Sequence, residues 1–333
     1  MSIAVLEAGP LTTVQDAGRA GYAARGFRTC GACDGYALRV ANLLAGNGDA
    51  GLAVLEMTLR GGTFRFEEDA VFALAGAELQ PLLDERPVPC FAPVFAPAGS
   101  TLRLAAARTG LRGYLAVFGG IDTPPVMGSR STDLKCRLGG LEGRALRAGD
   151  ILPVGADGAA ARARWQSIKA RGADRPLGDP AARAPARPWR FCAGQKTPLF
   201  RAVAGPQTQA FTPEGLRTFT ETTYTLTPDC DRMACKLRGA VIGTVRGADI
   251  ISDGIVAGSV QVSANGQPIV MLADHQTTGG YAKIATVIGA DLPSLAQLRP
   301  GQALAFTFVT AAQAVAAARQ QAARLEQIRE RMR

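Results

Sequence analysis

The densest group of chemically capable side chains lies in residues 268–288, where a polar turn separates two short apolar runs. Glycine tolerates a positive φ, so a Gly-Gly pair in this turn can direct backbone amides toward a ligand. A carboxylate, an imidazole and an ammonium supply groups for proton transfer and charge stabilisation. The predicted catalytic residues here are Asp274, His275 and Lys283, and the predicted binding residues are Gln276, Thr277, Thr278, Gly279, Gly280 and Tyr281. The alternative is a tight hairpin whose polar groups satisfy only its own backbone.

A second polar group occupies residues 119–133, directly after an apolar run at 114–118 that predicts a strand. Its arginine offers a two-pronged donor for a carboxylate or phosphate, and an aspartate three residues later is expected to orient that arginine. The predicted anion-binding residues are Ser129, Arg130, Ser131, Thr132 and Asp133. The alternative is an Arg-Asp pair and Ser/Thr caps that only hold a loop in place.

Two further residues complete the candidate site. Asp16, in the stretch T-T-V-Q-D-A-G-R-A-G-Y at 12–22, is a candidate catalytic carboxylate or, alternatively, an ordinary turn aspartate. Arg232, in Asp231-Arg232-Met233, is a weaker candidate for anion binding.

Several common kinds of site are disfavoured. Residues 46–51 match G-x-G-x-x-G, but the segment follows a predicted helix and precedes a predicted strand, whereas dinucleotide binding needs the reverse order. We therefore interpret it as a helix-ending turn. Neither G-x-x-x-x-G-K-[ST] nor G-x-S-x-G occurs in the sequence, which argues against a standard P-loop ATPase or serine hydrolase.

Composition is that of an ordinary globular chain of 333 residues, with 47% hydrophobic and 20% charged residues. The seven cysteines do not suggest a disulfide framework, and Cys30-x-x-Cys33 lacks a second pair that would complete a metal site, so no metal is predicted. The N-terminus resembles no signal peptide, and no stretch is long and apolar enough to cross a bilayer, so we expect a cytoplasmic protein.

The net charge of +9 has a local origin. Residues 159–190 hold eight basic against two acidic side chains, and the tail from Arg319 holds five against two. Because aromatic residues are not interleaved with these charges, such segments are more typical of solvated surfaces than of nucleic-acid sites. We expect no nucleic-acid and no membrane partner.

The sequence also repeats itself at offsets of 196 to 199 residues. Residues 8–12 return at 204–208, residues 29–39 at 227–238, and the apolar stretches 62–66 and 70–74 at 258–262 and 269–273. A nearly constant spacing predicts two copies of one unit. Each copy is a series of short runs rich in β-branched and aromatic residues, which favours a mainly β fold of small barrels. Predicted strands include 52–59, 71–74, 101–104, 114–117, 250–256 and 303–310.

Few helices are predicted. One begins at an Asp34 cap, and its apolar residues Tyr36, Ala37, Val40, Ala41 and Leu44 share one face. A last helix from 311 to near Met332 shows a stripe of Val315, Ala318, Ala322, Leu325 and Met332, expected to dock on a barrel or a partner. The predicted domains are a first β domain at 1–155, an Ala/Arg/Pro-rich linker at 156–188, a second β domain at 189–310 and a helical tail at 311–333.

Three motifs, in order, resemble the KipA or allophanate hydrolase subunit 2 family, which includes the C subunit of 5-oxoprolinase and the carboxyltransferase region of urea carboxylase. They are G-P-L-T-T-V-Q-D-x-G-R-x-G-Y, G-G-I-D-x-P-P-V-x-G-S-R-S-T-D and A-D-H-Q-T-T-G-G-Y-x-K-I-A-T-V-I, and the similarity runs from about Ile3 to Val309. The resemblance implies two duplicated cyclophilin-like β-barrel domains. It also implies a KipI-like protein as partner and, in the oxoprolinase, a LamB/YcsF-like protein as a third component.

Three functions follow from this resemblance. The first is one component of an ATP-dependent 5-oxoprolinase, inactive alone, with ATP and Mg used by the complex. The second is a biotin-dependent carboxyltransferase module of the urea carboxylase type. The third is a regulatory protein that binds a KipI-like kinase inhibitor. Both chemical functions require donors around a developing oxyanion, so the candidate residues above serve either of them.

Overall fold

The computed structural model describes residues 1–177 and 197–333. Two compact units emerge: in the described residues, unit 1 comprises 1–20, 30–177 and 323–333, and unit 2 comprises 21–29 and 197–322. Within this part of the chain, no helix is both long and apolar enough to span a membrane.

Unit 1 is built from two β-sheets. Its strands are β1 (Ser2–Glu7), β2 (Thr12–Gln15), β3 (Val54–Thr58), β4 (Thr63–Phe66), β5 (Ala70–Gly76), β6 (Leu82–Leu83), β7 (Arg86–Pro87), β8 (Pro93–Ala96), β9 (Thr101–Arg103), β10 (Arg112–Val117) and β11 (Ile151–Pro153). One sheet has the order β11-β1-β4-β9-β6-β7 and the other β2-β3-β10-β5-β8. Inward-facing residues such as Phe64, Phe72 and Leu115 form one apolar core.

The predicted helix after Asp34 is confirmed as α1 (Gly35–Leu44), and the Asp34 side chain accepts a hydrogen bond from the Ala37 amide. A buried polar network lies at its start: Oε2 of Glu56 accepts from the Tyr114 hydroxyl at 2.8 Å and from the Cys33 amide at 2.9 Å. Burial, followed by the nearby charge of Glu56, raises the pKa of Tyr114. Gly46 follows α1 with a φ of 88°, which confirms that the G-x-G-x-x-G segment begins as a helix-ending turn.

The predicted linker at 156–188 is wrong in its first half, where α2 (Gly158–Ala170) forms. Asp157 caps this helix through the Ala160 amide, and alanine-rich sequence favours helix. Ile168 is buried in the core that contains α1, and Trp165 stacks on Phe95 with ring centroids 5.9 Å apart. Local composition indicated exposure, but these two apolar side chains attach the segment to unit 1. Residues 178–188 lie outside the described part of the chain.

Unit 2 contains a closed barrel. Its strands are β12 (Leu199–Ala204), β13 (Tyr224–Cys230), β14 (Ala234–Gly239), β15 (Asp249–Gly254), β16 (Ser259–Val262), β17 (Pro268–Met271), β18 (Thr278–Tyr281), β19 (Lys283–Val287) and β20 (Ala303–Phe308), and its helices are α3 (Pro213–Glu221) and α4 (Leu292–Leu295). A last helix, α5 (Ala311–Met332), begins in unit 2, and its residues from 323 onward belong to unit 1. The barrel has seven strands in the order β12-β19-β16-β17-β14-β13-β20. Phe219, Tyr224 and Phe306 are fully buried in its core. The mainly β fold with few helices is confirmed.

The polar turn of residues 274–283 is not a hairpin loop. β17 pairs with β14 and β16, β19 pairs with β12 and β16, and the residues between them contain β18. β18 pairs with β15 in a separate antiparallel ribbon. Glycine and threonine in this stretch indicated a turn, but pairing with a strand distant in sequence determines the structure.

The last helix is confirmed as α5, but its predicted buried face is only partly correct. Leu325 packs against a core cluster that includes Met332, whereas Val315 is 50% exposed and Ala318 and Ala322 are exposed. Near the start of α5, Ala314 and Ala317 make the buried contacts instead. A stripe of small residues does not distinguish the two sides of an alanine-rich helix.

The internal repeat holds for strands and fails at one anchor. Residues 62–66 and 258–262 both contain strands, β4 and β16, and so do residues 70–74 and 269–273, in β5 and β17. Residues 34–39, however, enter helix α1, whereas their sequence counterparts at 231–238 form a turn and strand β14. Sequence similarity at that anchor therefore does not reflect equal structure.

Candidate functional site

In unit 1, the predicted residues gather around the Asp16 carboxylate at the end of β2. Its Oδ1 accepts hydrogen bonds from the Ser129 hydroxyl at 2.7 Å, the Ser131 hydroxyl at 2.5 Å and the Gly18 amide at 2.8 Å. Its Oδ2 accepts from the Arg130 amide at 2.5 Å. With four internal donors on one carboxylate, this arrangement is suited to holding the 129–131 loop. We call it the Asp16 cluster.

The remaining predicted residues of unit 1 also bond within the chain. Asp133 does not orient Arg130: it accepts from the Lys135 and Cys136 amides at 3.0 Å, as a turn cap does. Arg130 instead reaches Asp122, with Nη2 and Oδ1 2.5 Å apart. Thr132 donates from its hydroxyl to the Val14 carbonyl at 3.0 Å. The expected Arg130–Asp133 pair is thus wrong, because Asp133 is buried beside its own turn.

In unit 2, Arg232 and Asp274 form a buried ion pair. Nε and Nη2 of Arg232 each donate to a different carboxylate oxygen of Asp274, both at 2.9 Å. The two side chains are 5% and 10% exposed. The Asp274 amide also donates to the Arg232 carbonyl at 2.9 Å. A two-pronged pair of this kind fixes the β13–β14 turn to the segment after β17.

Lys283 is nearly buried, and its ammonium is held by β15. Its Nζ donates to Oδ2 of Asp253 at 2.5 Å and to the Gly254 carbonyl at 2.8 Å. Oδ2 of Asp253 also accepts from Gln207 at 3.1 Å. The hydrogen bond from Lys283 lowers the pKa of Asp253, and the Gly254 amide and Gln207 lower it further. The Lys283 ammonium is therefore paired with a carboxylate of β15 whose ionised form is stabilised by these hydrogen bonds.

His275 is 8% exposed, and its Nδ1 lies 2.7 Å from the carbonyl oxygen of the next residue, Gln276. This contact fixes the backbone that presents Gln276. The side-chain Oε1 of Gln276 is buried and has no hydrogen-bond partner among the described residues. The Thr277 carbonyl accepts from the Ile255 amide at 3.0 Å, and Thr278 is exposed in β18.

The Gly-Gly pair does not act as predicted. Neither Gly279 nor Gly280 has a positive φ, because both belong to the extended strand β18. Gly279 lies close to its neighbours: a Cβ there would lie 2.5 Å from Cδ1 of Ile255 and 2.7 Å from Nε2 of Gln261, so these two side-chain ends would have to move. Gly279 therefore packs closely against Gln261 of the barrel, and neither glycine turns its amide toward a ligand through a positive φ.

A cavity of about 600 Å³ lies in unit 2 between the β13–β14 hairpin, β16, β17 and β18. Met233, Ile269 and Met271 supply apolar walls, and the polar lining residues are Asp229, Asp231, Lys236, Gln261, Gln276 and Tyr281. Of the residues predicted from sequence, all of which the structure describes, only Gln276 and Tyr281 line it. The predicted catalytic roles of Asp16, Asp274, His275 and Lys283 stay predictions.

Residues 1–177 and 197–333 contain no group of three or more His, Cys, Asp or Glu side chains that could hold a metal ion. The cavity also suits a polyphosphate poorly, because Asp229 and Asp231 line it against one ammonium, that of Lys236.

Comparison with known proteins identifies the family. The model of the carboxyltransferase domain, subdomain A and B, matches residues 25–308. The chain belongs to this family. The matched range includes the 129–131 loop and every residue that lines the cavity, and it begins after Asp16.

Two relatives in this family match almost end to end. The chain is 40% identical to the C subunit of 5-oxoprolinase from Escherichia coli over 97% of this chain and 96% of the relative. It is 36% identical to the C subunit of 5-oxoprolinase from Haemophilus influenzae over 98% and 97% of the two chains. Among solved structures, Kluyveromyces lactis urea carboxylase covers 98% of this chain with 29% of its own length, at a TM-score of 0.85 and 24% identity, which shows a shared fold.

Sequence reasoning missed most of the cavity wall. Lys236, Gln261 and Met271 come from three strands, β14, β16 and the end of β17, and show no motif. One available signal was the position of Asp231-Arg232-Met233 directly after a strand rich in Thr. A two-residue turn there would have predicted that the following strand returns alongside β13.

Proposed function

We propose that this chain is the C subunit of an ATP-dependent 5-oxoprolinase, which converts 5-oxo-L-proline, ATP and water to L-glutamate. The observation that carries this proposal is sequence identity. The chain is 40% and 36% identical, over nearly the full length of both chains, to two relatives named as the C subunit of 5-oxoprolinase. The cyclic amide is proposed to bind in the unit 2 cavity, whose volume of about 600 Å³ lies in the usual range for small-molecule sites.

The chemistry of the cavity supports a cyclic amide. The ring of 5-oxoproline presents an amide N–H and C=O side by side, and the Gln276 side chain presents the complementary acceptor and donor. Its Oε1 is a buried acceptor without a partner in the described chain, and ligand N–H is the kind of donor that would satisfy it. Rotation about the broad terminal torsion of glutamine would bring either end of the amide to the cavity. The Lys236 ammonium is available for the ligand carboxylate.

ATP is assigned to another part of the complex. An unstrained lactam is a poor electrophile, so activation by ATP, with Mg, makes ring opening feasible. The cavity fits a polyphosphate poorly, and we derive no step through ATP on this chain. The residues of this chain bind and orient the amide.

The proposed partners are a KipI-like protein and a LamB/YcsF-like protein, the other two components of the complex. In support, the β15–β18 ribbon beside the cavity and the segment that follows β15 expose apolar side chains: in the ribbon Ile251 is 94% and Tyr281 37% exposed, and in the following segment Val256 is 59% exposed. Apolar side chains grouped in this way are typical of protein interaction surfaces. We propose that the KipI-like partner covers this ribbon and completes the site, so that the isolated chain is inactive.

The test is co-expression with both partners and an assay of 5-oxoproline-dependent ATP hydrolysis with glutamate formation. Gln276→Leu is expected to raise KM by about tenfold, the loss of roughly one good hydrogen bond. Gln302→Leu, at an exposed position of unit 2 away from the cavity lining, is the matched control and should leave KM unchanged. No glutamate formation by the assembled complex would contradict the proposal.

The carboxyltransferase alternative rests on the description of the matching family model and on a 30% identical relative, a putative urea carboxylase of Emericella nidulans. Carboxybiotin contains a cyclic ureide, whose C=O lies next to nitrogen as it does in a cyclic amide, so the same lining residues would serve it. Carboxylation of urea or an amide that requires added biotinylated protein would favour this alternative. Binding of a KipI-like inhibitor without turnover of any substrate would favour the regulatory function.

A further inference from the structure

Two cysteines face each other across the β13–β14 hairpin. Cys230 ends β13 and Cys235 lies at the start of β14, and they are direct partners in the antiparallel register. The turn between them is closed by the Asp231 amide, which donates to the Ala234 carbonyl. Both cysteines are thiols in this structure.

The register brings the two residues within disulfide range. Because Asp231 and Ala234 form the hydrogen-bonded pair that closes the turn, the alternation of an antiparallel ladder makes Cys230 and Cys235 the next, non-hydrogen-bonded pair. Cα atoms in such pairs are about 4.5 Å apart, inside the span of roughly 4.4–6.8 Å that a disulfide accepts.

The two side chains also lie on the same face of the hairpin. Cys235 belongs to the apolar core of the barrel, and Cys230 packs against that same core from its edge. A cross-strand pair with both side chains on one face can join its sulfurs without a change of register.

The two thiols differ in accessibility. Cys235 is 3% exposed, whereas Cys230 is half-buried and lines the cavity beside Lys236. The Cys230 sulfur donates to the Lys236 carbonyl oxygen, 3.8 Å away. Cys230 is therefore the thiol that a reagent in the cavity meets first, and Cys235 is placed to react second.

We propose that Cys230 and Cys235 form a reversible thiol–disulfide site whose oxidant is a small disulfide such as oxidised glutathione. The Cys230 thiolate attacks one sulfur of the oxidant, forming a mixed disulfide and releasing one thiol. The Cys235 thiolate then attacks the Cys230 sulfur, forming the protein disulfide and releasing the second thiol. Two protein thiols are oxidised, one small disulfide is reduced to two thiols, and the site does not depend on which ligand the cavity takes.

The experiment exposes the folded full-length chain to oxidised glutathione, then blocks remaining thiols and maps peptides by mass spectrometry without reduction. Cys192, outside the described residues, is replaced by serine in every variant. The expected product is a Cys230–Cys235 cross-linked peptide that is lighter by two hydrogens and is lost on treatment with dithiothreitol. Cys235→Ser should stop at a mixed disulfide on Cys230, and Cys230→Ser should leave Cys235 unmodified.

Cys136→Ser is the matched control, because Cys136 is exposed and belongs to unit 1; it should form the same cross-link as the parent. Circular dichroism of each variant establishes that the fold is retained. The proposal is overturned if the folded parent, after full equilibration with the oxidant, shows Cys230 and Cys235 as thiols or as two separate mixed disulfides.

Discussion

The Asp16 cluster of unit 1 and the Gln276 region of unit 2 contain similar kinds of residue but use them differently. Around Asp16, every predicted hydroxyl and the carboxylate itself bond to each other or to nearby backbone. In unit 2, the Arg232–Asp274 and Lys283–Asp253 pairs are also satisfied internally, but they flank a cavity that Gln276 and Tyr281 line.

This difference shows why residue type alone does not identify a binding site. A carboxylate with four internal donors stabilises a loop, and further bonds to a ligand would compete with those contacts. A buried amide oxygen without a donor, in the wall of a cavity, is a better indication of a ligand. We therefore predict that changes at Asp16 act on stability and that changes at Gln276 act on binding.

The largest effect is expected from Arg232→Met. It leaves the Asp274 carboxylate buried without its partner, and breaking such a pair costs about 3–5 kcal/mol in the free energy of unfolding. Denaturant unfolding measures this change. The matched control, Arg217→Met, breaks the exposed pair with Glu214 and should cost less than about 1 kcal/mol. Equal losses in the two variants would refute the interpretation of Arg232 as a buried positioning residue.

Asp16→Ala is expected to rank second, at about 2–3 kcal/mol, because several donors lose a charged acceptor at once. Asp122→Ala, which removes only the half-exposed partner of Arg130, should cost less than about 1 kcal/mol. If Asp16→Ala melts like the parent and yet abolishes activity of the assembled complex, the cluster is a catalytic site rather than a structural one.

His275→Gln should have a modest effect on turnover. The imidazole contacts the backbone of Gln276, so we expect a positioning role, with more than about a tenth of the parent kcat retained by the complex. Obligatory proton transfer is usually worth a factor of about 10² to 10⁴. A loss of kcat in that range, together with the disappearance of one limb of the plot of turnover rate against pH, would show that His275 transfers a proton.

The smallest effect concerns pH. The pKa of Asp253 is lowered in the folded chain, mainly by Lys283, so the stabilisation from this carboxylate is complete above about pH 4 and is lost as pH falls through the lowered pKa. In Lys283→Gln, the Asp253 pKa should rise toward its ordinary value, as followed by NMR of the carboxyl carbon. An unchanged titration midpoint would contradict the Lys283–Asp253 contact.

Much of the fold could be predicted from the sequence, because the strands have strong local patterns. The run at 114–117 lies within β10, and the Asp34 cap begins α1 as its side chain predicts. The errors arose where contacts distant in sequence decide the structure. β18 forms only because β15 pairs with it, and α2 is fixed to unit 1 by Ile168 and Trp165.

The candidate site was less predictable for the same reason. Gln276 and Tyr281 lie in a recognisable motif, but Gln261 and Lys236 reach the cavity through barrel closure, which no short segment encodes. The positive φ expected of the Gly-Gly pair was wrong, because pairing with β15 holds both glycines in an extended strand.

The unit 2 cavity, and not the Asp16 cluster, is the proposed binding site of the cyclic amide. Calorimetric titration of 5-oxoproline into the assembled complex tests this assignment, with Gln276→Leu and Ser131→Ala compared at equal folded concentration. We expect about tenfold weaker binding for Gln276→Leu, and unchanged affinity with a lower melting temperature for Ser131→Ala. Unchanged affinity in Gln276→Leu together with lost binding in Ser131→Ala would contradict it.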